Sequence, residues 1–207
     1  MKLSNFTSLD SIEAERGIAG LSGASSADRA IWSEFEDKMN RLAFESEEAL
    51  ESFGLGVESQ LSNVIENTPT GASEVLALTK VRRQQTFFRR AVLSSYGSRC
   101  CITGNPVPEL LRASHIVPWS ESEEHRANPR NGLCLVATFD AAFDRGLISI
   151  DADFKVILSE RIREYLPNTD LERTFCESEG KPIQLPGKNL PESIFLSQHR
   201  QSYGFSC

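Results

Sequence analysis

The chain has 207 residues, 40% hydrophobic and 25% charged, enough for one ordinary domain with an appendage or for two small domains. No apolar run approaches the roughly 18–20 residues that span a bilayer, and the first residues, MKLSNFTSLDSIEAE, lack an apolar signal core, so the expectation is a cytoplasmic protein with no membrane partner. The net charge of −7 excludes a uniformly basic chain, but residues 1–79 carry 5 basic and 14 acidic side chains, residues 80–131 carry 9 and 4, and residues 132–207 carry 8 and 11.

In chain order, residues 1–24 read as a loose lead with turns at Gly17, Gly20 and Gly23. Ser25, Ser26 and Asp28 offer N-caps for one helix from Ala27 to Ser52. Its apolar stripe is Ile31, Phe35, Leu42 and Ala49, and Gly54 and Gly56 stop it. Asn67-Thr68-Pro69-Thr70-Gly71 reads as a linker, which places an acidic helical region at 1–79 and a second domain at 80–207. A second helix, Val81 to Tyr96, turns Phe88 and Val92 or Leu93 inward, presents Arg82, Arg83, Arg89 and Arg90 outward, and ends at Gly97. A strand over Leu110 to Ile116, an irregular loop from Pro118 to Arg130 and an extended Gly132 to Val136 lead into a helix over Thr138 to Arg145, stopped by Gly146. LISID and FKVILS, joined by Asp151-Ala152-Asp153, read as a hairpin, and beyond Leu166 the chain is rich in Pro and Gly.

Five cysteines at irregular spacing, with no CxxC, argue against a disulfide framework or a four-cysteine zinc ribbon. A looser zinc site through Cys100 or Cys101, Cys134 and a His is a weaker reading than a core thiol at Cys134, which lies in the apolar run GLCLVA.

The chemistry concentrates between Arg99 and Ile150. His115 stands at a strand end before a Pro-containing loop, and neutral imidazole, with a pKa near 6.5, is a competent base at pH 7. Asp140 and Asp144, four residues apart, project from one helix face and suit a hard divalent cation. The one basic segment runs directly into the His115 motif, where a phosphate backbone would be held.

SHIVPW, PRNGL and FDAAFDRGLISI, with His115, Asn131 and Asp140 at intervals of 16 and 9 residues, resemble the three motifs of the HNH endonucleases. The CxxTG before the first motif, the FDRGL of the third and the upstream Gln85, Phe88, Arg89, Arg90, Tyr96 and Gly97 resemble a bacterial, restriction-endonuclease-like branch. The resemblance covers residues 81–158 and implies an α+β fold, with a ββα-metal core preceded by a helical N-terminal region. It further implies that His115 is the general base, Asn131 braces the loop and helps orient it, and Asp140 holds one divalent ion, Mg2+ ahead of Mn2+ or another transition metal, with Asp144 as a second carboxylate. Double-stranded DNA would be the substrate, cut in restriction or defence, with Arg82, Arg83, Arg89, Arg90, Arg112 and Arg145 contacting phosphates. Two positions depart from the pattern: Ser114 stands where many members have an Asp or His ligand, and Phe139 where close relatives often show His. These departures motivate a second reading, a DNA-binding module with weakened catalysis, and the acidic N-terminal helix a third, a regulatory or structural protein. That helix is a candidate either for homodimerisation or for packing on the nuclease core; His199 reads as structural and Arg200 as a phosphate contact.

Overall fold

In the computed structural model, residues 6–21, 23–55 and 72–205 are described; the expected linker at 67–71 and the stop at Gly56 lie outside them. The chain divides into two compact units at Phe87/Phe88, inside one long helix, whereas the change in composition falls at 79/80.

The first unit is helical. α1 spans Ser11–Glu15 and is capped by the Asp10 carboxylate, which accepts from the backbone N–H groups of Ile12 and Glu13. The expected helix from Ala27 to Ser52 is two helices, α2 (Ser26–Phe35) and α3 (Met39–Ser52). Ser25 caps α2 as its sequence suggests, in a reciprocal capping box with Asp28. The break comes at Lys38, whose backbone (φ −122°, ψ 47°) leaves helical space after an acidic stretch, Glu34, Glu36 and Asp37, that opposes the dipole at the C-terminal end of α2. The buried face is also not the expected stripe: Ile31 and Ala49 are exposed, while Ala43 and Glu47, one turn apart, are buried. Arg41 joins the two helices by pairing with Glu34 (2.8 Å) and Glu45 (2.6 Å).

α4 spans Ala72–Ser95 and begins well before the expected Val81. Gly97, at φ +58°, ends it in the left-handed region open to glycine. The second unit contains an antiparallel hairpin, β1 (Leu111–His115) with β2 (Gly132–Val136), in a register that pairs His115 with Gly132 and Leu111 with Val136. α5 (Ala137–Asp144) follows immediately and packs on both strands. β2 is buried from Gly132 to Leu135, and Gly132 is where α4 comes nearest: a Cβ there would lie 2.4 Å from a Val92 methyl and 2.9 Å from the Phe88 ring. A second hairpin, β3 (Ile148–Ile150) with β4 (Val156–Leu158), extends the core formed with Phe88, Phe143, Leu133, Leu135 and Leu196. The architecture is α+β, with a ββα unit at its centre.

The region beyond Leu166 is more regular than its Pro and Gly content suggests. After α6 (Glu160–Arg163) come α7 (Thr169–Thr174), capped by Asn168, and α8 (Ser193–Ser202), which buries Phe195, Leu196, His199 and Arg200. Its helical spacing is masked in the sequence because half of the buried face is polar. Cys100, Cys101 and Cys134 are buried free thiols. Burial pushes the Cys134 thiol up to about 12 and the Cys101 thiol well above its usual range, as for core thiols, and among the described residues no three His, Cys, Asp or Glu side chains come together to hold a metal. No helix among the described residues is long and apolar enough to cross a membrane.

Candidate active site

His115 closes β1, and three contacts fix its ring. It stacks on Phe88 at 3.7 Å between centroids and 10° between planes, meets the Trp119 ring edge-on, and brings Nε2 to 2.9 Å from the Arg126 carbonyl oxygen. A carbonyl only accepts, so Nε2 carries the hydrogen and Nδ1 keeps the basic lone pair in the neutral ring. Burial lowers the pKa below its ordinary 6.5 more than the Arg126 carbonyl raises it, so the ring is neutral at pH 7. Arg126 is itself held in place: Nε donates to the Trp119 carbonyl (3.0 Å), and the guanidinium lies 5.0 Å from the centroid of the Trp119 ring.

Asn131 is 1% exposed and spends its side chain on the loop that carries those groups. Oδ1 accepts from the Val117 N–H (2.8 Å), while Nδ2 donates to the carbonyls of Val117 (3.1 Å) and His125 (3.4 Å). Its own carbonyl accepts from the Ile116 N–H at 3.0 Å. The loop from Val117 to Arg126 is thus tied at its entry and near its exit by one amide. Both amide hydrogens and one lone pair of Oδ1 are thus committed to the loop.

The carboxylates lie on α5. Burial raises the pKa of Asp140, against smaller opposing effects of the Ser114 hydroxyl, Arg112 and Arg145; burial and then the Asp140 charge raise that of Asp144. Mutual repulsion between two acids on one helix face is what a cation would relieve. Ser114, two residues along β1 from Arg112, is 3% exposed, and its hydroxyl lowers the Asp140 pKa through a hydrogen-bonding contact looser than an ordinary one. Two carboxylates and a hydroxyl suit a hard divalent cation better than a thiophilic one. Among the described residues no three His, Cys, Asp or Glu side chains form a ready cage, so any ion would keep positions for water and phosphate. Phe139 is buried against Phe175 and offers no ligand.

The expected basic residues divide. Arg112 and Arg145 are exposed and both act on Asp140. Arg83 is bound to Glu48 (3.2 Å) and Glu51 (2.7 Å) and lies over Phe44, and Arg89 donates to the Leu111 carbonyl (3.0 Å). Arg82 and Arg90 lie on the exposed side of α4. Arg200 is not a phosphate contact: it is buried and donates to the Ile150 carbonyl at 2.7 Å. Three further contributors stand outside the expected site residues. The Arg126 carbonyl acts through its backbone and leaves no residue-type signal. Ser114 signals only by its place before His115. The third is α8: the His199 ring stacks on Phe143, donates through Nε2 to the Phe143 carbonyl (3.1 Å) and accepts at Nδ1 from Ser149 (2.8 Å). Tyr203 donates to the Asp144 carbonyl (2.6 Å) and covers Gly146, where a Cβ would lie 2.2 Å from its ring. α8 therefore satisfies the terminal carbonyls of the helix that carries the acids.

A hairpin with an imidazole at the end of its first strand, packed on a helix bearing carboxylates, defines a ββα class of site. Residues 100–151 match the family model described as HNH endonuclease. A solved structure titled "Modification dependent TagI restriction endonuclease" is similar with a TM-score of 0.41 and 19% identity over 56% of this chain and 36% of that one, so the chain spans little more than a third of its length. No curated protein matches the chain.

Proposed function

We propose that the protein is a metal-dependent endonuclease that hydrolyses DNA phosphodiester bonds. The observation that carries the reading is the orientation of His115: its Nε2–H is committed to the Arg126 carbonyl, which leaves a neutral, partly desolvated Nδ1 as a base. Nδ1 takes a proton from water, the resulting hydroxide attacks phosphorus in line as the P–O3′ bond breaks, and the departing 3′ oxygen takes a proton from solvent, leaving a 5′ phosphate and a 3′ hydroxyl. Asp140 and Asp144 hold a divalent ion, Mg2+ or Mn2+, which when bound supplies charge stabilisation to the phosphate and the departing oxygen. Arg112 and Arg145 contact backbone phosphates beside the acids, and Arg82 and Arg90 extend the basic surface along α4. Arg83 and Arg89, already engaged within the protein, contribute only if those contacts are exchanged. Restriction or defence against foreign DNA, acting in the cytoplasm, is the biological role that fits this chemistry, and pairing of two chains would let single-site centres cut both strands.

The test is supercoiled plasmid incubated with the full chain and Mg2+, Mn2+ or chelator. Nicking and linearisation that require the ion and vanish in His115→Ala are expected. Ion-independent cleavage, or cleavage undiminished in His115→Ala, overturns the mechanism; binding without cleavage under every ion favours the DNA-binding module suggested by Ser114.

A further inference from the structure

His115 owes its aim to a carbonyl in a loop. Its Nε2–H donates to the Arg126 carbonyl at 2.9 Å, and Arg126 lies in the irregular stretch between β1 and β2, where a peptide plane turns freely unless something holds it. The Arg126 side chain supplies a hold of its own. Its Nε reaches back seven residues to the Trp119 carbonyl at 3.0 Å, and its guanidinium lies 5.0 Å from the centroid of the Trp119 ring. The Trp119 ring in turn meets the His115 ring edge-on, with centroids 5.6 Å apart and planes at 85°. These contacts close a circuit: imidazole to Arg126 backbone, Arg126 side chain to Trp119, Trp119 back to imidazole. Asn131 does not duplicate it, because the Asn131 amide bonds to Val117 and His125.

Arg126 belongs to the basic segment at residues 80–131, where a guanidinium beside the candidate base would ordinarily be assigned to phosphate. Its geometry points elsewhere. The side chain is 23% exposed, Nε is spent on a carbonyl, the guanidinium sits over an indole, and Nη1 lies 3.7 Å from the Glu123 carboxylate. Resting on the reading of His115 as the base, we propose that Arg126 and Trp119 form a clasp that positions it. The guanidinium, seated on the indole, fixes the direction of the Arg126 carbonyl, which keeps Nε2–H engaged and Nδ1 bare. Arg126 is thus a positioning residue that acts through His115 and not through phosphate. An arginine is required rather than a lysine, because a planar guanidinium donates through Nε and lies over a ring at the same time.

The proton resonance of His115 Nε2–H, identified by its loss in His115→Gln, reports the clasp in the full chain without DNA or metal. In wild type at pH 7 it should be visible in water, protected by the bond to the Arg126 carbonyl. In Arg126→Gln it should be lost to exchange with solvent. Arg126→Lys should lose it as well, since charge alone does not rebuild the clasp. Trp119→Phe, which keeps a ring and the backbone carbonyl, should retain it. The Nε2–H resonance of His199, bonded to the Phe143 carbonyl, should persist in each variant and shows that the variant is folded. With plasmid and ion, Arg126→Gln should cleave about 10²-fold more slowly in single turnover, the scale of a misaimed group. Its DNA affinity and the salt dependence of that affinity should match wild type. A His115 resonance absent from wild type, or surviving in both Arg126 variants, overturns the clasp. So does a fall in DNA affinity with a salt slope smaller by about one, which marks a phosphate contact. If Arg126→Gln is unfolded, Arg126→Lys decides. Plasmid untouched by wild type overturns the endonuclease reading alone, and the Nε2–H resonance still decides the clasp.

Discussion

Replacing Asn131 by alanine removes three hydrogen bonds at once and leaves the Val117 N–H and C=O without their side-chain partner. A buried donor left unsatisfied costs about 1–3 kcal/mol and an ordinary lost bond about 1 kcal/mol, so the sum is about 3 kcal/mol. For a chain of this size each kcal/mol moves the melting temperature by about 2–4 °C, which predicts a fall of about 6–12 °C by scanning calorimetry. The substitution by aspartate is the sharper perturbation. It keeps the acceptor for Val117 N–H but sets a second carboxylate oxygen against two carbonyl oxygens that the amide now bonds at 3.1 and 3.4 Å. Asn131→Asp should therefore be at least as destabilised as the alanine variant at pH 7. It should recover part of the loss in acid, since those carbonyls favour the protonated, donating form and so raise its carboxyl pKa. Cleavage should fall in both variants, because the loop that Asn131 ties also carries the carbonyl that orients His115. A melting temperature within 2 °C of wild type in both would refute the brace.

Cleavage by wild type should decline in acid with a midpoint below 6.5, the pH at which the lowered pKa of His115 lets a proton occupy the base; a midpoint above 6.5 refutes the neutral, desolvated ring. His115→Ala should lose about 10²–10⁴-fold in single-turnover rate, as expected for loss of a general base. Asp140→Asn should lose the divalent-ion response yet melt higher than wild type without metal: burial raises the folded carboxyl pKa, so ionising Asp140 opposes folding at pH 7, and the amide removes that charge. A lower melting temperature for the metal-free variant would contradict this sign. His199 has a folded pKa lowered to about 4, so between pH 6.5 and 4 the unfolded chain binds a proton that the folded one refuses, and stability falls as pH falls. The loss totals about 3 kcal/mol at pH 4, taken as 1.36 kcal/mol per pKa unit, and the corresponding slope of melting temperature against pH should be absent in His199→Gln.

The hairpin that carries His115 is readable because its signals are local. The Pro-containing loop after His115, the Asn-Gly step at the start of β2 and the glycine stop at Gly146 each mark a boundary within a residue or so of the observed one. The helical region resisted for the opposite reason. Nothing in the spacing of Ile31, Phe35 and Leu42 marks the break at Lys38, because a buried Glu47 and ion pairs rather than an apolar stripe determine how α2 and α3 lie together. α8 was hidden likewise: His199 and Arg200 count as polar in any periodicity, yet both are buried with their hydrogen bonds satisfied by Ser149, Phe143 and Ile150. Residue type revealed which groups could do chemistry. It could not reveal that Arg83 and Arg89 were already engaged, since residue type says nothing of their neighbours.

The two halves of the candidate site are held by different parts of the second unit. The base depends on the loop from Val117 to Arg126, and so on Asn131. The acids depend on α5, whose last turn is closed by His199 and Tyr203 from α8. Side chains on strands and helices hold position well only when their supports are themselves packed, and both supports here are buried or bonded to backbone. Lesions in the two supports should therefore separate. Loosening the loop changes the basicity and aim of His115 while the ion still binds. Removing the Tyr203 hydroxyl frees the Asp144 carbonyl and weakens the ion while the His115 pKa stays where it was. Ser114 adjoins both halves, since it precedes His115 in β1 and its hydroxyl acts on Asp140. A substitution there that shifted the acid limb of the pH profile as well as ion affinity would show the two halves to be coupled through β1 rather than supported independently.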